Sequence, residues 1–72
     1  MQLFIMRTDI GSASKVNAIS STLNQNPNIQ KWSIDLYDID NVLRVEARNR
    51  MKERDLIHLV ERCGFYCEAL PD

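Results

Sequence analysis

The stretch Thr8–Leu23, TDIGSASKVNAISSTL, joins an apolar strand to an amphipathic helix through a loop of small residues. The preceding run LFIM, Leu3–Met6, is typical of a central strand that is covered on most of both faces. After the loop, apolar residues recur at Val16, Ile19 and Leu23, which is the spacing of one buried helix face. Any chemistry of this chain is expected at the loop, where the strand becomes the helix.

The rest of the chain predicts a further helix and three strands. The first helix should end before Pro27, which cannot continue it, and the second before Gly64, which suits a left-handed terminal position. The predicted elements are a half-buried strand from Ile29 to Leu36, a hairpin turn at Asp38–Asn41, a strand from Val42 to Ala47, a helix with Leu56, Leu59, Val60 and Cys63 on its buried face, and a strand from Phe65 to Leu70.

The order βαββαβ predicts an α+β, ferredoxin-like sandwich. Right-handed crossovers place both helices on one face of a four-stranded antiparallel sheet with the strand order 4-1-3-2. The opposite face is left open, and Leu3 and Ile5 would be apolar there if they point away from Phe4 and Met6. Trp32 should be at least partly buried because it alternates in phase with the apolar residues of its strand.

Length and composition predict one small domain, residues 1–72, with 44% hydrophobic and 26% charged residues. A net charge of −1 gives no general attraction to nucleic acid or to a membrane surface. The apolar run at the start is too short for a signal peptide, so we expect a cytoplasmic protein. Cys63 and Cys67 are interpreted as reduced, slowly reacting core residues without a disulfide. Of the adjacent pair Phe65 and Tyr66, Tyr66 should point outward.

Three segments carry a family resemblance: TDIGSASKVNAI, IQKWSIDLYDIDNVLRVEA and DLIHLVERCGFYCEAL. Over nearly the whole chain they resemble the heavy-metal-associated domain, the small module of copper chaperones and metal ATPases. In that family the first loop reads approximately G-M-T-C-x-x-C-V, and its two thiolates hold a soft ion such as copper(I). The resemblance sets Asp9–Val16 on that loop and Cys63-Gly64-Phe65 on the family's closing A-G-F. It therefore implies that Ser12 and Lys15 replace the two cysteine ligands.

This replacement predicts a degenerate site that binds no metal or other cofactor. A serine hydroxyl is a hard, poor ligand for copper(I), and Lys15 brings a positive charge to the place of the cation. We interpret Ser12 as a helix cap whose oxygen accepts a hydrogen bond from the amide of Ser14 or Lys15. The alternative is a small anion site at the positive helix end, made by Gly11, Ser12, Ser14, Lys15 and Arg7.

The remaining candidates give weaker signals. His58 has no second imidazole or carboxylate at ligand spacing and should be exposed, and no catalytic triad or carboxylate pair can be assembled, so no enzyme is expected. Ferredoxin-like folds also include RNA-binding domains, and five cationic residues cluster at Arg44, Arg48, Arg50, Lys52 and Arg54. The third strand lacks the aromatic pair on which bases stack, so a solvated charged edge is favoured over nucleic-acid binding.

Two classes of function remain open. The first is a metal-independent interaction or regulatory module with a protein partner, which could be a second copy bound through the open sheet face or an edge strand. The second is a residual metallochaperone in heavy-metal homeostasis that borrows ligands such as Met6, Cys67 or another subunit. Neither class predicts contact with a membrane.

Overall fold

The computed structural model describes residues 1–70 and contains four strands and two helices. In chain order these are β1 (Gln2–Thr8), α1 (Ala13–Gln25), β2 (Ile29–Ile34), β3 (Leu43–Ala47), α2 (Glu53–Arg62) and β4 (Cys67–Ala69). All neighbouring strands are antiparallel, in the order β2-β3-β1-β4. This is the predicted order 4-1-3-2 read from the other edge, and the ferredoxin-like fold is confirmed.

Strand β1 lies in the middle of the sheet, between β3 and β4, and its side chains alternate between the two faces. Phe4, Met6 and Thr8 are buried on the side of the helices. Leu3 and Ile5 lie on the open face, where they are 59% and 37% exposed. The prediction that this strand is covered on most of both faces is therefore wrong, because both helices pack on the same side.

One apolar core lies between the sheet and the helices, and it takes the inward positions of β1 and β3 together with one stripe from each helix. Its fully buried helix residues are Ile19 and Leu23 in α1 and Leu56 and Val60 in α2. Trp32 is half-buried against this core, as predicted, and its Nε1 donates a hydrogen bond of 2.8 Å to Oδ1 of Asn24. The bond links β2 to α1.

Because the strands are antiparallel, the segments that connect the helices and strands lie at two opposite ends of the molecule. Residues 9–12, 35–42 and 63–66 meet at the end where Thr8 stands opposite Cys67 and Met6 opposite Leu43, which we call the site end. Residues 26–28 and 48–52 lie at the far end, with the start of β1.

Three strands are shorter than predicted, and β3 differs only by beginning at Leu43 instead of Val42. Strand β2 ends at Ile34 rather than Leu36, and the amide of Asp35 donates to the carbonyl of Val42 to close a wide loop. The predicted turn at 38–41 is present inside this loop, where the amide of Asn41 donates to the carbonyl of Asp38 over 3.0 Å. Leu36 is 37% exposed as a result. Strand β4 begins at Cys67, because the amides of the two preceding residues bond to groups outside the ladder.

Helix α2 is fixed at both ends by local chemistry. At its start the amide of Lys52 donates to a carboxylate oxygen of Asp55 over 2.9 Å. At its end Gly64 has φ of +89°, the left-handed conformation predicted for it. Cys63 is the C-cap that follows the last helical residue. It is half-buried and packs against the core, whereas Cys67 is buried within the core as predicted.

Candidate functional site

Thr8 is the anchor of the loop between β1 and α1. Its side chain is almost completely buried, and its Oγ1 donates to the carbonyl of Asn41 over 2.7 Å while accepting from the amide of Ile10 over 3.1 Å. Its own amide donates to the carbonyl of Asp40 over 3.0 Å. One residue thus ties the 9–12 loop to the 35–42 loop at the site end.

The loop is also held by packing and by the turn that precedes β4. Ile10 is fully buried in the core. A Cβ atom at Gly11 would lie 3.4 Å from Nδ2 of Asn41, so the two loops are in van der Waals contact. On the other side, Oδ1 of Asp9 accepts a hydrogen bond of 2.8 Å from the amide of Tyr66. The loop is therefore fixed from three directions.

The two positions that the family resemblance assigns to metal ligands lie at the start of α1. Ser12 is half-buried and caps the helix as predicted, since its Oγ accepts from the amide of Lys15 over 3.3 Å. The same Oγ lies 3.2 Å from Oγ of Ser14. The side chain of Lys15 is exposed. Capping therefore occupies the hydroxyl that would have to serve as a ligand.

Arg7 lies on the open face of the sheet, between two carboxylates. Its Nε is 3.0 Å from Oδ1 of Asp40, and its Nη1 is 2.8 Å from Oε1 of Glu68. The hydroxyl of Tyr66 donates to the other oxygen of Glu68, and this hydrogen bond raises the pKa of Tyr66. Arg7 is thus committed to an ion-pair cluster, and anion binding by Gly11, Ser12, Ser14 and Lys15 stays a prediction.

The substitute metal ligands considered from the sequence lie on the inner face of the sheet. Met6 and Cys67 are 1% and 5% exposed. Burial, reinforced by the negative charges of Glu61 and Glu53, raises the pKa of the Cys67 thiol to about 11. A thiol with that pKa is almost entirely protonated at neutral pH, whereas a metal requires the thiolate.

No group of three or more His, Cys, Asp or Glu residues that could hold a metal ion occurs within residues 1–70. Both cysteines are free thiols, in agreement with the sequence prediction. His58 is exposed on α2, also as predicted, and borders an open cleft of about 280 Å³ at the junction of α2 with the far end. The cleft contains none of the predicted site residues.

Within residues 1–70, the two central strands β1 and β3 place no aromatic ring on the open face of the sheet. Arg44 and Glu46 alternate on β3 beside Leu3 and Ile5, so charges of both signs are mixed with aliphatic side chains. Phe4, the aromatic residue of β1, is 9% exposed and points toward the helices. Stacking of bases requires aromatic rings on the exposed side.

Sequence reasoning missed Thr8, Ile10 and Asn41 as parts of the site. The signal for the first two was present, because Phe4, Met6, Thr8 and Ile10 have the same parity along the chain. Asn41 has φ of +43°, a conformation that asparagine tolerates better than most residues. The hydrogen bond between Thr8 and Asn41 joins distant parts of the chain, so residue spacing in the sequence could not predict it.

Comparison with solved structures identifies the fold. The yeast copper transporter domain Ccc2a, solved in apo and Cu(I)-loaded states, superposes with a TM-score of 0.82 at 25% identity over 100% of this chain and 99% of that one. A chain of the Atx1–Cu(I)–Ccc2a complex gives 0.84 at 25% identity, with coverage of 100% and 99%. A copper-binding domain from HMA7, a P-type ATPase, gives 0.83 at 23% identity, with coverage of 99% and 96%.

These likenesses show that the chain has the ferredoxin-like fold of heavy-metal-associated domains. No protein-family model and no curated protein matches its sequence. In residues 1–70, no helix is both long and apolar enough to cross a membrane.

Proposed function

We propose that this single-domain chain is a cytoplasmic, non-enzymatic protein-interaction module that has lost the metal site of its fold. The proposal rests on the two residues Ser12 and Lys15 at the start of α1. There Ser12 caps the helix, and Lys15 holds an exposed cation, at the two positions where the family pattern has cysteines.

Each of these two residues disfavours the binding of a soft cation. The Ser12 hydroxyl is neutral, hard and already bonded to the amide of Lys15. The ammonium of Lys15 repels a cation at the same place, and the positive end of the helix dipole adds to that repulsion.

A residual metallochaperone would need other ligands. Met6 and Cys67 are buried, and the Cys67 thiol is disfavoured as a thiolate by its raised pKa. An ion carrier must also exchange its ion with a partner at the surface, which a buried pair does not permit. These facts favour interaction over metal transfer.

The solved neighbours support a role in protein contact. One of them comes from the Atx1–Cu(I)–Ccc2a complex. A protein with this fold can therefore take part in a complex with another protein, and the proposal extends that role to this chain.

Competition for Cu(I) against a coloured chelator tests the loss of the site. We expect the wild type to withdraw no more Cu(I) than a Cys63→Ser control, in which the half-buried thiol is removed. Combining Ser12→Cys with Lys15→Cys should restore two soft donors and raise the affinity by several orders of magnitude, whereas either single change should have a far smaller effect.

Two results would refute the proposal or its basis. If the wild type competes for Cu(I) as strongly as the double variant, the metal site has not been lost. If the double variant binds no Cu(I), Ser12 and Lys15 do not occupy the ligand positions.

A further inference from the structure

The loop between β2 and β3 displays large apolar side chains in solvent. Within its sequence DLYDIDN, residues 35–41, Tyr37 is fully exposed and Ile39 is 94% exposed. Asp35 and Asp38 form no ion pair within residues 1–70, while Asp40 is paired with Arg7. The loop is therefore an apolar projection surrounded by negative charge.

Hydrogen bonds inside the loop hold this projection in place. Oδ1 of Asp35 accepts from the amide of Tyr37 over 3.0 Å, and Oδ1 of Asp38 accepts from the amide of Asp40 over 2.8 Å. The amide of Asn41 donates to the carbonyl of Asp38, and Thr8 fixes the carbonyl of Asn41. Because the backbone is already ordered, docking of Tyr37 and Ile39 costs little further loop entropy.

The far end of the molecule carries the opposite charge. The segment RNRMK, residues 48–52, contains three cations and no carboxylate, and all three cations are exposed. None of the three forms an ion pair in the part of the chain that the structure describes, residues 1–70. The segment is fixed in position, because Nε2 of Gln2 donates to the carbonyls of Arg48 and Met51.

A cleft of about 480 Å³ opens beside these cations, lined by Pro27, Asn28, Arg48 and Arg50. A proline ring and guanidinium planes are surfaces on which a tyrosine ring stacks. The acidic residues that follow this segment in sequence are Glu53 and Asp55, and the carboxylate of Asp55 accepts a hydrogen bond from the amide of Lys52. The cleft therefore offers both an apolar contact and two cations.

We propose that this chain associates with a second copy of itself head to tail. In this arrangement the 35–41 loop of one copy inserts Tyr37 and Ile39 at the cleft of the next, and Asp35 and Asp38 face Arg48 and Arg50. The charge complementarity of two fixed surfaces at opposite ends of one molecule supports this contact. The inference gives the interaction role proposed above a partner, and it rests on that role.

The proposed head-to-tail contact determines how further copies can assemble. Because the two surfaces differ, the contact is heterologous, and each copy that joins leaves one free loop and one free cleft. The contact is also small, so the association should be weak and favoured by low salt.

Sedimentation velocity on three proteins tests this. We expect the average mass of the wild type to rise between micromolar and millimolar concentration without stopping at a dimer, and to fall when salt is added. A loop variant, Tyr37→Ser with Ile39→Ser, and a cleft variant, Arg48→Glu with Arg50→Glu, should each weaken self-association by about tenfold or more. Mixed in equal amounts, the two variants should form a heterodimer and nothing larger.

A charge-reversed control separates this arrangement from pairing through the open sheet face. Lys31→Glu combined with Arg44→Glu reverses two cations on that face and changes the net charge as much as the cleft variant does, so it should weaken the association far less than the cleft variant. All of these residues are at the surface, so matched urea unfolding curves will show that every variant folds.

The head-to-tail contact is refuted by a wild type that stays monomeric at low salt, by a mass that levels at a dimer, or by variants that do not complement each other. Loss of association in the Lys31/Arg44 control would refute it as well. These failures are distinct from failure of the proposed function, because Cu(I) competition depends on Ser12 and Lys15, which no variant here alters.

Discussion

Two loops at the site end differ in whether their isoleucine side chain is buried or exposed. The loop at 9–12 buries Ile10 completely, whereas the loop at 35–42 leaves Ile39 94% exposed. Both loops have an ordered backbone, and Thr8 joins them. The difference shows that the first loop is anchored in the core through Ile10, whereas the second loop projects its apolar side chains from the surface.

The largest contrast is expected from one substitution made in both loops. Ile10→Ala should lower the free energy of unfolding by about 3 kcal/mol, because it leaves a cavity in the core. Ile39→Ala should change it by less than about 0.5 kcal/mol, because the side chain is already in solvent. Urea unfolding of the two variants measures the comparison directly. Equal losses would show that the two loops are energetically alike.

Breaking the link between the loops should have the next largest effect. Thr8→Val keeps the size of the side chain but removes the hydroxyl, leaving the Ile10 amide and the Asn41 carbonyl without their partner. We expect a loss of about 2 kcal/mol. Thr8→Ser retains the hydroxyl and is the matched control. If the valine and serine variants unfold at the same urea concentration, the hydrogen bonds contribute nothing.

The helix cap should contribute less. Ser12→Ala removes the acceptor of the Lys15 amide and should cost about 1 kcal/mol. Ser21→Ala, at an exposed position inside the same helix, should be neutral or slightly stabilising because alanine has the higher helix propensity. Thermal unfolding of both variants measures this difference in stability. A harmless Ser12→Ala would mean that water satisfies this helix end equally well.

At neutral pH the smallest effect is expected from the titration of Cys67, which changes stability only in alkaline solution. The pKa of Cys67 is raised from 9.0 to about 11 in the folded chain, so its neutral thiol stabilises the fold fully below about pH 9. That contribution is lost as the pH rises through about 11. A Cys67→Ala variant should therefore lose stability less steeply over this range than the wild type, when urea unfolding is followed against pH.

Thiol labelling in the native state gives a second reading of the same residue. Cys63 is half-buried and should react with a thiol reagent faster than Cys67, which is buried opposite Thr8. Cys63→Ser and Cys67→Ser variants identify the two rates. Equal rates, or faster reaction of Cys67, would contradict the burial on which the pH prediction depends.

Periodicity was sufficient to predict the fold. Alternation in β3 and the stripe at Ile19, Leu23, Leu56 and Val60 fixed the inner face, and Gly64 marked the end of α2 correctly. Periodicity failed where hydrogen bonds replace ladder pairing. Leu36 continues the alternation of β2, yet Asp35 turns the chain before it, and the amide of Tyr66 bonds to Asp9 before β4 begins.

The site was predictable only in part. The capping role of Ser12 followed from residue type and position, and the structure confirms it. Arg7 was grouped with the helix start because it is close in sequence, but strand alternation sends its side chain to the open face, where two carboxylates hold it. The exposure of Tyr37 and Ile39 was unpredictable, because apolar residues in a short loop are as compatible with folding inward as outward.

The single tryptophan of the chain determines what fluorescence can report. Trp32 lies half-buried on β2, and its indole donates to Asn24 on α1, so its emission will shift when that helix leaves the sheet. The 35–42 loop is not in this contact. Trp32 fluorescence can therefore follow the packing of α1 on the sheet, whereas binding at the 35–42 loop must be followed with a label attached to that loop.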